Sequence, residues 1–188
     1  VPLAGGQAPV PLNPPPYDDA AGDLAIHPGG QDVLFRAAPG GLGVHNLYRV
    51  PLDASAPPQR LNTPLEASGD VSAFAVAGSG DTIAYLADAQ ENETFELFGA
   101  PFAGGPVLTY NAPLASGPVL GDVLSFWVSA DEQRVVYRAD QDTDGIFGLF
   151  NRASGRGAPF SLTSGLPEAQ TVFADIALSP DGTRAAFL

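Results

Sequence analysis

The stretch that decides the fold is Ser179-Pro-Asp-Gly-Thr-Arg-Ala-Ala-Phe187, because the chain contains it in four aligned versions. The other three are His27-Pro-Gly-Gly-Gln-Asp-Val-Leu-Phe35, Ala77-Gly-Ser-Gly-Asp-Thr-Ile-Ala-Tyr85 and Ser129-Ala-Asp-Glu-Gln-Arg-Val-Val-Tyr137. Each version ends on an aromatic residue, and these aromatics follow one another at intervals of 50, 52 and 50 residues. Similarity at such a period is the signature of a repeat architecture.

The residues around each version predict four short strands per repeat. Apolar residues alternate just before it, as in Phe74 and Val76, which is typical of a half-buried strand. Leu24 and Ile26 hold the same positions in the first repeat. A second aromatic follows the first by 13 residues, at Tyr48, Phe98 and Phe150. Four antiparallel strands about every 50 residues make a propeller blade. The sequence therefore predicts an all-β fold of β-propeller blades, about three complete blades with a partial blade at each end.

The turn Ser179-Pro180-Asp181-Gly182-Thr183, followed by Ala185-Ala186-Phe187, resembles the repeat of TolB-like propellers. The versions at 77 and 129 are degenerate, with Gly78 and Ala130 where that turn usually has proline. The resemblance covers nearly the whole chain and implies the fold. Its motif is short and shared by many unrelated functions. It also implies a location outside the cytoplasm, whether periplasmic, secreted or on the cell surface.

The repeat defines one propeller segment. We expect the end of a preceding blade and a linker over 1–21, blades over 22–68, 69–120 and 121–172, and the start of a further blade over 173–188. Residues 1–13 match residues 50–62 position by position, so joining the two ends would leave a blade without the counterparts of 37–49. Such a blade exposes unpaired backbone groups. The interpretation is a segment of a longer propeller, completed by the remainder of the chain or by another subunit. The alternative is a four-bladed ring closed by sharing its terminal strands.

Composition limits the classes of partner. The 188 residues carry a formal charge of −13, with 21 acidic residues against eight arginines. Such a surface repels phosphate backbones, which excludes nucleic acid as a partner, and it is compatible with cations, with basic partners or with simple solubility. The absence of cysteine excludes disulfides, thiolate metal sites and a cysteine nucleophile. No apolar run approaches the roughly 20 residues that a membrane-spanning helix needs.

One loop has the spacing of a calcium site, Asp140-Gln-Asp-Thr-Asp-Gly-Ile146. The carboxylates of Asp140, Asp142 and Asp144 stand at alternate positions and can converge on a hard cation, and the carbonyl of Ile146 can add an oxygen. A helical calcium hand has a bidentate glutamate at position 12 of its loop, whereas position 12 here is Asn151. The flanking residues also have the pattern of strands, so the helical version of the site is disfavoured. The alternative is a solvated acidic hairpin turning at Asp144-Gly145. The equivalent loops at 88–93 and 38–41 lack the pattern, so calcium would be structural and limited to one blade.

The remaining polar residues predict packing and turns. His27 stands at a turn position, Trp127 is expected to pack, and Arg36 and Arg138 are expected to pair with neighbouring carboxylates. No Ser/His/Asp or paired-carboxylate spacing indicates catalysis, so the chain is predicted not to be an enzyme.

The function predicted is a non-catalytic scaffold that binds a protein, peptide or other ligand. The alternative is an accessory propeller of a prolyl-oligopeptidase-like hydrolase whose catalytic domain lies outside this chain, and a propeller glycosidase is a third candidate.

Overall fold

A computed structural model describes residues 6, 8–17, 19–41, 43–76, 78–115, 121–153, 157–167 and 170–188. Of the preceding blade and linker predicted over 1–21, residues 1–5, 7 and 18 lie outside this set, as does Ala77 of the repeat. The described residues form strands and turns and contain no helix. The strands are β1 (Ala20–Ile26), β2 (Asp32–Ala37), β3 (Asn46–Pro51), β4 (Gln59–Arg60), β5 (Val71–Val76), β6 (Thr82–Ala87), β7 (Glu96–Pro101), β8 (Leu108–Thr109), β9 (Val123–Val128), β10 (Arg134–Ala139), β11 (Gly148–Ala153), β12 (Phe160–Ser161), β13 (Ile176–Leu178) and β14 (Ala185–Phe187).

The strands form one two-stranded and three four-stranded antiparallel sheets, each in chain order. We name them blade 1 (β1–β4), blade 2 (β5–β8), blade 3 (β9–β12) and blade 4 (β13–β14). The two aromatics of each repeat are direct cross-strand partners, as Tyr85 is to Phe98 and Tyr137 is to Phe150. The rings of these two pairs stack with centroids 5.2 and 5.4 Å apart. In each of the three four-stranded blades a buried aromatic pair thus fixes the register, which explains the 13-residue spacing in the sequence.

The hydrophobic core lies between the blades. Leu34 and Leu47 of blade 1 pack in one cluster with Ile83, Tyr85 and Phe98 of blade 2. Blades 2 and 3 repeat this packing around Leu97 and Tyr137, and blades 3 and 4 repeat it around Leu149. Trp127 packs against this last cluster. Apolar burial between neighbouring sheets therefore holds the segment together.

Two tyrosine hydroxyls inside this core form hydrogen bonds across the blades. The hydroxyl of Tyr85 accepts a hydrogen bond from the backbone N–H of Thr63, and that of Tyr137 accepts one from Ala112, each in the preceding blade. Burial raises the pKa of Tyr85 to about 12, so this hydroxyl stays protonated at neutral pH.

Each blade is joined to the next by the same backbone contact. The N–H groups of Val71, Val123 and Val172 donate to the carbonyls of His45, Phe95 and Phe147 at 2.9, 2.9 and 2.7 Å. These bonds tie the start of the first strand in one blade to the start of the third strand in the preceding blade. They place the loops described below at fixed positions relative to one another.

Leu24 and Ile26 of blade 1 lie on a face that no sheet covers within the described residues. They are 69% and 59% exposed. The expectation of a half-buried strand is therefore wrong for β1. The expectation of a half-buried strand is correct for β5, because blade 1 packs against Phe74 and Val76.

None of the described residues forms a helix that is long and apolar enough to span a membrane.

The loop between the second and third strands contains a residue with positive φ in every complete blade. The φ values are +72° at Gly43, +62° at Glu93 and +75° at Gly145. Of these three residues only Glu93 carries a side chain, and an L-residue with positive φ costs about 1 kcal/mol.

We predict that Glu93→Gly raises the melting temperature. Glu91→Gly, two residues earlier in the same exposed loop, has no positive φ to relieve. Equal effects of the two substitutions in thermal melts would contradict this account of the turn.

Candidate functional site

Two sets of loops emerge from the same side of the sheets. Because consecutive strands are antiparallel, the loops between second and third strands and the linkers between blades lie on one side. We call this side the loop face; it comprises residues 38–45, 88–95 and 140–147 and the described parts of 61–70, 110–122 and 162–175. The other connections form the opposite side, which we call the turn face.

The carboxylate of Asp140 connects its loop to a part of the chain that is distant in sequence. Its side chain is 4% exposed, although a carboxylate usually lies at the surface. One carboxylate oxygen accepts the N–H of Asp122 at 2.5 Å, and the other accepts the N–H of Gly145 at 2.9 Å. Asp140 therefore joins the tip of the loop to the start of β9.

Asp88 does the same in blade 2. It is 2% exposed and accepts the N–H groups of Asp70 and, at 3.0 Å, Glu93. Blade 1 has Ala38 at this position, and its loop turns instead through Gly40 and Gly41, both with positive φ. The buried carboxylate is thus a brace used by two of the three complete blades.

A second carboxylate carries the connection across to the preceding blade. Asp122 accepts the N–H of Phe95 at 2.8 Å, and Asp70 accepts that of His45 at 2.7 Å. At the third junction the hydroxyl of Thr171 accepts the N–H of Phe147 at 2.9 Å. Each junction therefore pairs a side-chain acceptor with the backbone bond described above.

These carboxylates make the electrostatic potential of the loop face more negative. Burial raises the pKa of Asp122 above its ordinary value, and the charges of Asp140, Glu93 and Asp144 raise it further, whereas the hydrogen bond from Phe95 lowers it. The described residues of these loops include the following carboxylates: Glu66, Asp70, Asp88, Glu91, Glu93, Asp122, Asp140, Asp142, Asp144 and Asp175. None of the eight arginines lies in these loops.

Two of the arginines near the loop face, Arg36 and Arg138, are already engaged. Arg36 pairs with Asp23 at 2.8 Å, which confirms the expected ion pair, and donates to the carbonyl of Val71 at 2.6 Å. Arg138 makes no close ion pair with a carboxylate within the described residues, and its charge interacts with that of Asp140 at longer range. Its Nε donates to the carbonyl of Val172 at 2.6 Å, and its guanidinium lies 4.1 Å from the centroid of the Phe147 ring. Both arginines cap a carbonyl at the start of the next blade.

The predicted calcium ligands are not brought together in this arrangement. Asp140 points inward to its amide donors, whereas Asp142 and Asp144 are exposed. Among the described residues, no group of three or more acidic or histidine side chains is placed to hold a metal ion. The N–H of Ile146 donates to the carbonyl of Thr143 at 3.0 Å, closing a turn at Asp144-Gly145. The calcium site stays a prediction, since it requires Asp142 and Asp144 to turn toward Asp140.

Two grooves open beside the loops. One, of 510 Å³, is lined by Asp142, Ile146 and Phe150 together with Thr163. A larger one, of 860 Å³, lies between blades 1 and 2. Its walls include Arg60, Leu61, Glu66, Gln90, Phe98 and Val107. Both are lined by apolar and polar side chains; the smaller groove includes Asp142, and the larger one includes Glu66 and Arg60.

Sequence reasoning missed the bracing role of Asp88 and Asp140. A signal was present, since Gly-Asp-Val occurs at 69–71 and again at 121–123, 52 residues later. A Cβ at Gly69 would lie 2.5 Å from the carbonyl oxygen of Asp88, and one at Gly121 would lie 2.8 Å from that of Asp140. Glycine is needed there because the linker passes directly over the carbonyl group of the buried aspartate.

Comparison with solved structures supports the fold. The chain is similar to a protein assigned as TolB from Agrobacterium tumefaciens, with a TM-score of 0.57 and 14% identity over 89% of this chain and 53% of that one. A prolyl endopeptidase structure is also similar, with a TM-score of 0.33 and 17% identity over 73% of this chain and 28% of that one. The chain thus spans about half the length of the TolB structure.

No protein-family model and no curated protein sequence matches the chain. At 14% identity the TolB likeness shows the fold alone, and it confirms the predicted all-β propeller blades. The likeness to the prolyl endopeptidase is too weak to carry an argument. The prediction of a TolB-like repeat family stays a prediction beyond the level of the fold.

The pKa shift of Asp122 predicts a pH-dependent stability. Because its folded pKa lies above the ordinary value, Asp122 destabilises the fold progressively as pH rises through that raised pKa. Asn at this position still accepts the N–H of Phe95 and does not ionise. We predict that Asp122→Asn becomes more stable relative to the wild type as pH rises from about 4 to 7, measured as the difference in melting temperature.

Asp131 provides a control, because its pKa is shifted in the opposite direction and its effect on stability changes with pH in the opposite sense. Its pKa is lowered by the hydroxyl of Ser129 and by the N–H of Gln133. The wild type therefore gains stability from Asp131 as pH rises through the ordinary aspartate pKa, and loses it as pH falls through the lowered one. Asp131→Asn should lose stability relative to the wild type as pH rises. The same sign for both variants would rule out this electrostatic account.

Proposed function

We propose that the chain is a non-catalytic β-propeller scaffold that binds a cationic protein or peptide on its loop face, outside the cytoplasm. The observation that carries this proposal is the segregation of charge between the two faces. The described loops of the loop face contain carboxylates and no arginine, and Arg60 lies beside them at the end of β4. The turn face carries both signs, and its residues include Asp53, Asp131, Asp181, Arg134 and Arg184.

The exposed carboxylates are the ones available to a partner. Glu91, Glu93, Asp142 and Asp144 lie on the two loops braced by Asp88 and Asp140, and all four are exposed. The braces fix the loop backbones, so a partner meets a pre-formed surface and loses less free energy in ordering it. Clustered charge of one sign also steers an oppositely charged partner to the surface and makes association sensitive to salt.

The extracytoplasmic location rests on the resemblance of the Ser179–Thr183 turn to TolB-like repeats. The alternative function, an accessory propeller of a hydrolase, stays a prediction. No contact within the described residues favours it over the scaffold. A catalytic domain elsewhere in the same gene product would favour it.

The binding proposal predicts a face-specific loss of affinity. An arginine- and lysine-rich synthetic peptide is titrated into the protein by isothermal calorimetry at two salt concentrations. Neutralising Glu91, Glu93, Asp142 and Asp144 to Gln or Asn should weaken binding by about tenfold or more, since each exposed charge contributes a few tenths of a kcal/mol or more. Binding by the wild type should also weaken at high salt.

The matched control neutralises four carboxylates of the turn face, Asp53, Asp81, Asp131 and Asp181. It removes the same charge from the whole protein and leaves the loop face intact, so binding should change little. Equal losses in the two variants would show that net charge alone attracts the peptide and would contradict a site on the loop face.

We include calcium binding by Asp140, Asp142, Asp144 and the carbonyl of Ile146 in the proposal as a stabilising feature of blade 3. A ligand that binds only the folded state at 100 times its Kd stabilises by about 2.7 kcal/mol. Millimolar calcium should therefore raise the melting temperature relative to chelator, and equal magnesium should not. Asp142→Asn with Asp144→Asn should abolish the shift. Superimposable wild-type curves in calcium and chelator would refute the site.

A further inference from the structure

The groove between blades 1 and 2 carries a cation that has no partner within the described residues. Arg60 lies at the end of β4, lines this groove and is exposed, and no other described residue forms a hydrogen bond or an ion pair with its side chain. Four arginines elsewhere on the strands each donate to a backbone carbonyl of a neighbouring blade: Arg36, Arg49, Arg138 and Arg152. The guanidinium of Arg60 is therefore available to a ligand.

This available guanidinium belongs to one groove and not to the repeat. Arg60 is the cross-strand partner of Tyr48, and the equivalent positions in blades 2 and 3 are Thr109 and Ser161. At the junction between blades 2 and 3 the carbonyl of Thr109 is held by Arg152, so the chain supplies the cation there itself. The groove between blades 1 and 2 thus differs from its neighbour in having an unengaged cation on its wall.

The groove itself is pre-formed. Its volume of 860 Å³ lies within the range of about 300–1,000 Å³ that ligand pockets have. Two of the residues that line it, Leu61 and Phe98, are apolar and buried. The chain that leaves β4 is fixed, because the N–H of Leu61 donates to the carbonyl of Leu47 at 2.9 Å and Asn62 accepts the N–H of Leu47 at 2.9 Å. A ligand therefore loses little free energy in ordering these walls.

Carboxylates border the same groove on the side of the loop face. Gln90 lines the groove, and Glu91 and Glu93 follow it in the same loop. Glu66 also lines the groove and is exposed, and it forms no ion pair with Arg60. The groove thus offers one cation beside several carboxylates, which complements a ligand that carries both signs of charge.

We propose that this groove binds a carboxylate-bearing segment of a basic peptide, with the carboxylate paired to Arg60 and the basic side chains beside Glu66 and Glu91. The inference rests on the proposed function, because the loop face attracts the basic residues. An arginine and a carboxylate form two parallel hydrogen bonds, which fix the orientation of the ligand as well as holding it. The carboxylate is either the C-terminus of the partner or an acidic side chain, since both present the same group. Arg60 thereby determines the register of the partner on the loop face.

The test compares three forms of one arginine- and lysine-rich peptide by isothermal titration calorimetry. The first has a free C-terminal carboxylate, the second has a C-terminal amide, and the third is the amide with one glutamate in place of a glutamine beside the C-terminus. The wild type should bind the first or the third about threefold to fivefold more tightly than the second, as one exposed ion pair provides. Net charge alone predicts the reverse order, because the amide is the most cationic of the three.

The two acidic peptides identify the source of the carboxylate. Tighter binding of the first peptide alone assigns the C-terminus to Arg60, and tighter binding of the third alone assigns an acidic side chain.

Two variants locate the preference in the groove. Arg60→Gln should lose the preference for a carboxylate and bind the amide most tightly. Arg134→Gln removes the same charge from the turn face and should keep the order of the wild type. Circular dichroism melts of both variants check folding, and Arg60→Gln should melt as the wild type does because the side chain is exposed and has no partner within the described residues.

Equal or tighter binding of the amide by the wild type would overturn the inference. A preference for a carboxylate that persists in Arg60→Gln would overturn it as well. Neither result contradicts the proposed function, which requires only that the peptides bind and that neutralising the loop face weakens them. Absence of binding by all three peptides would overturn both.

Discussion

The contact on which the loop face depends is the carboxylate of Asp140 accepting two backbone N–H groups, from Asp122 and Gly145. Hydrogen bonds to an ionised acceptor are stronger than neutral ones, and a buried amide without a partner costs about 1–3 kcal/mol. Asp122 then accepts the N–H of Phe95, so the connection continues into blade 2. One buried aspartate thus fixes a loop, a strand start and a blade junction.

This construction has an electrostatic consequence for binding. The braces bring carboxylates close together at the start of blades 2 and 3. At Asp122, burial and then the neighbouring carboxylate charges raise the pKa. The exposed acidic residues of the same loops add to that potential. The cationic partner that we propose would relieve this repulsion, so the residues that shape the loop face would also favour a basic ligand there.

The sequence predicted the fold well because the aromatic pairs repeat. Tyr137 and Phe150 are 13 residues apart and become cross-strand partners, so spacing alone fixed the register. The role of Asp140 could not be predicted in this way, since Asp-x-Asp-x-Asp-Gly gives the spacing of carboxylates and not their direction. The exposure of Leu24 and Ile26 could not be predicted either, because alternation shows which face is apolar and not whether a neighbour covers it.

Amide hydrogen exchange in an Asp140→Ala variant tests the bracing role most directly. We expect the amides of Asp122, Gly145 and Phe95 to exchange faster than in the wild type. The equivalent amides are those of Asp70 and Glu93, which donate to Asp88, and of His45, which donates to Asp70; they should keep their protection and serve as the internal control. Unchanged exchange at Asp122 and Gly145, or an equal loss of protection in both sets, would contradict the account.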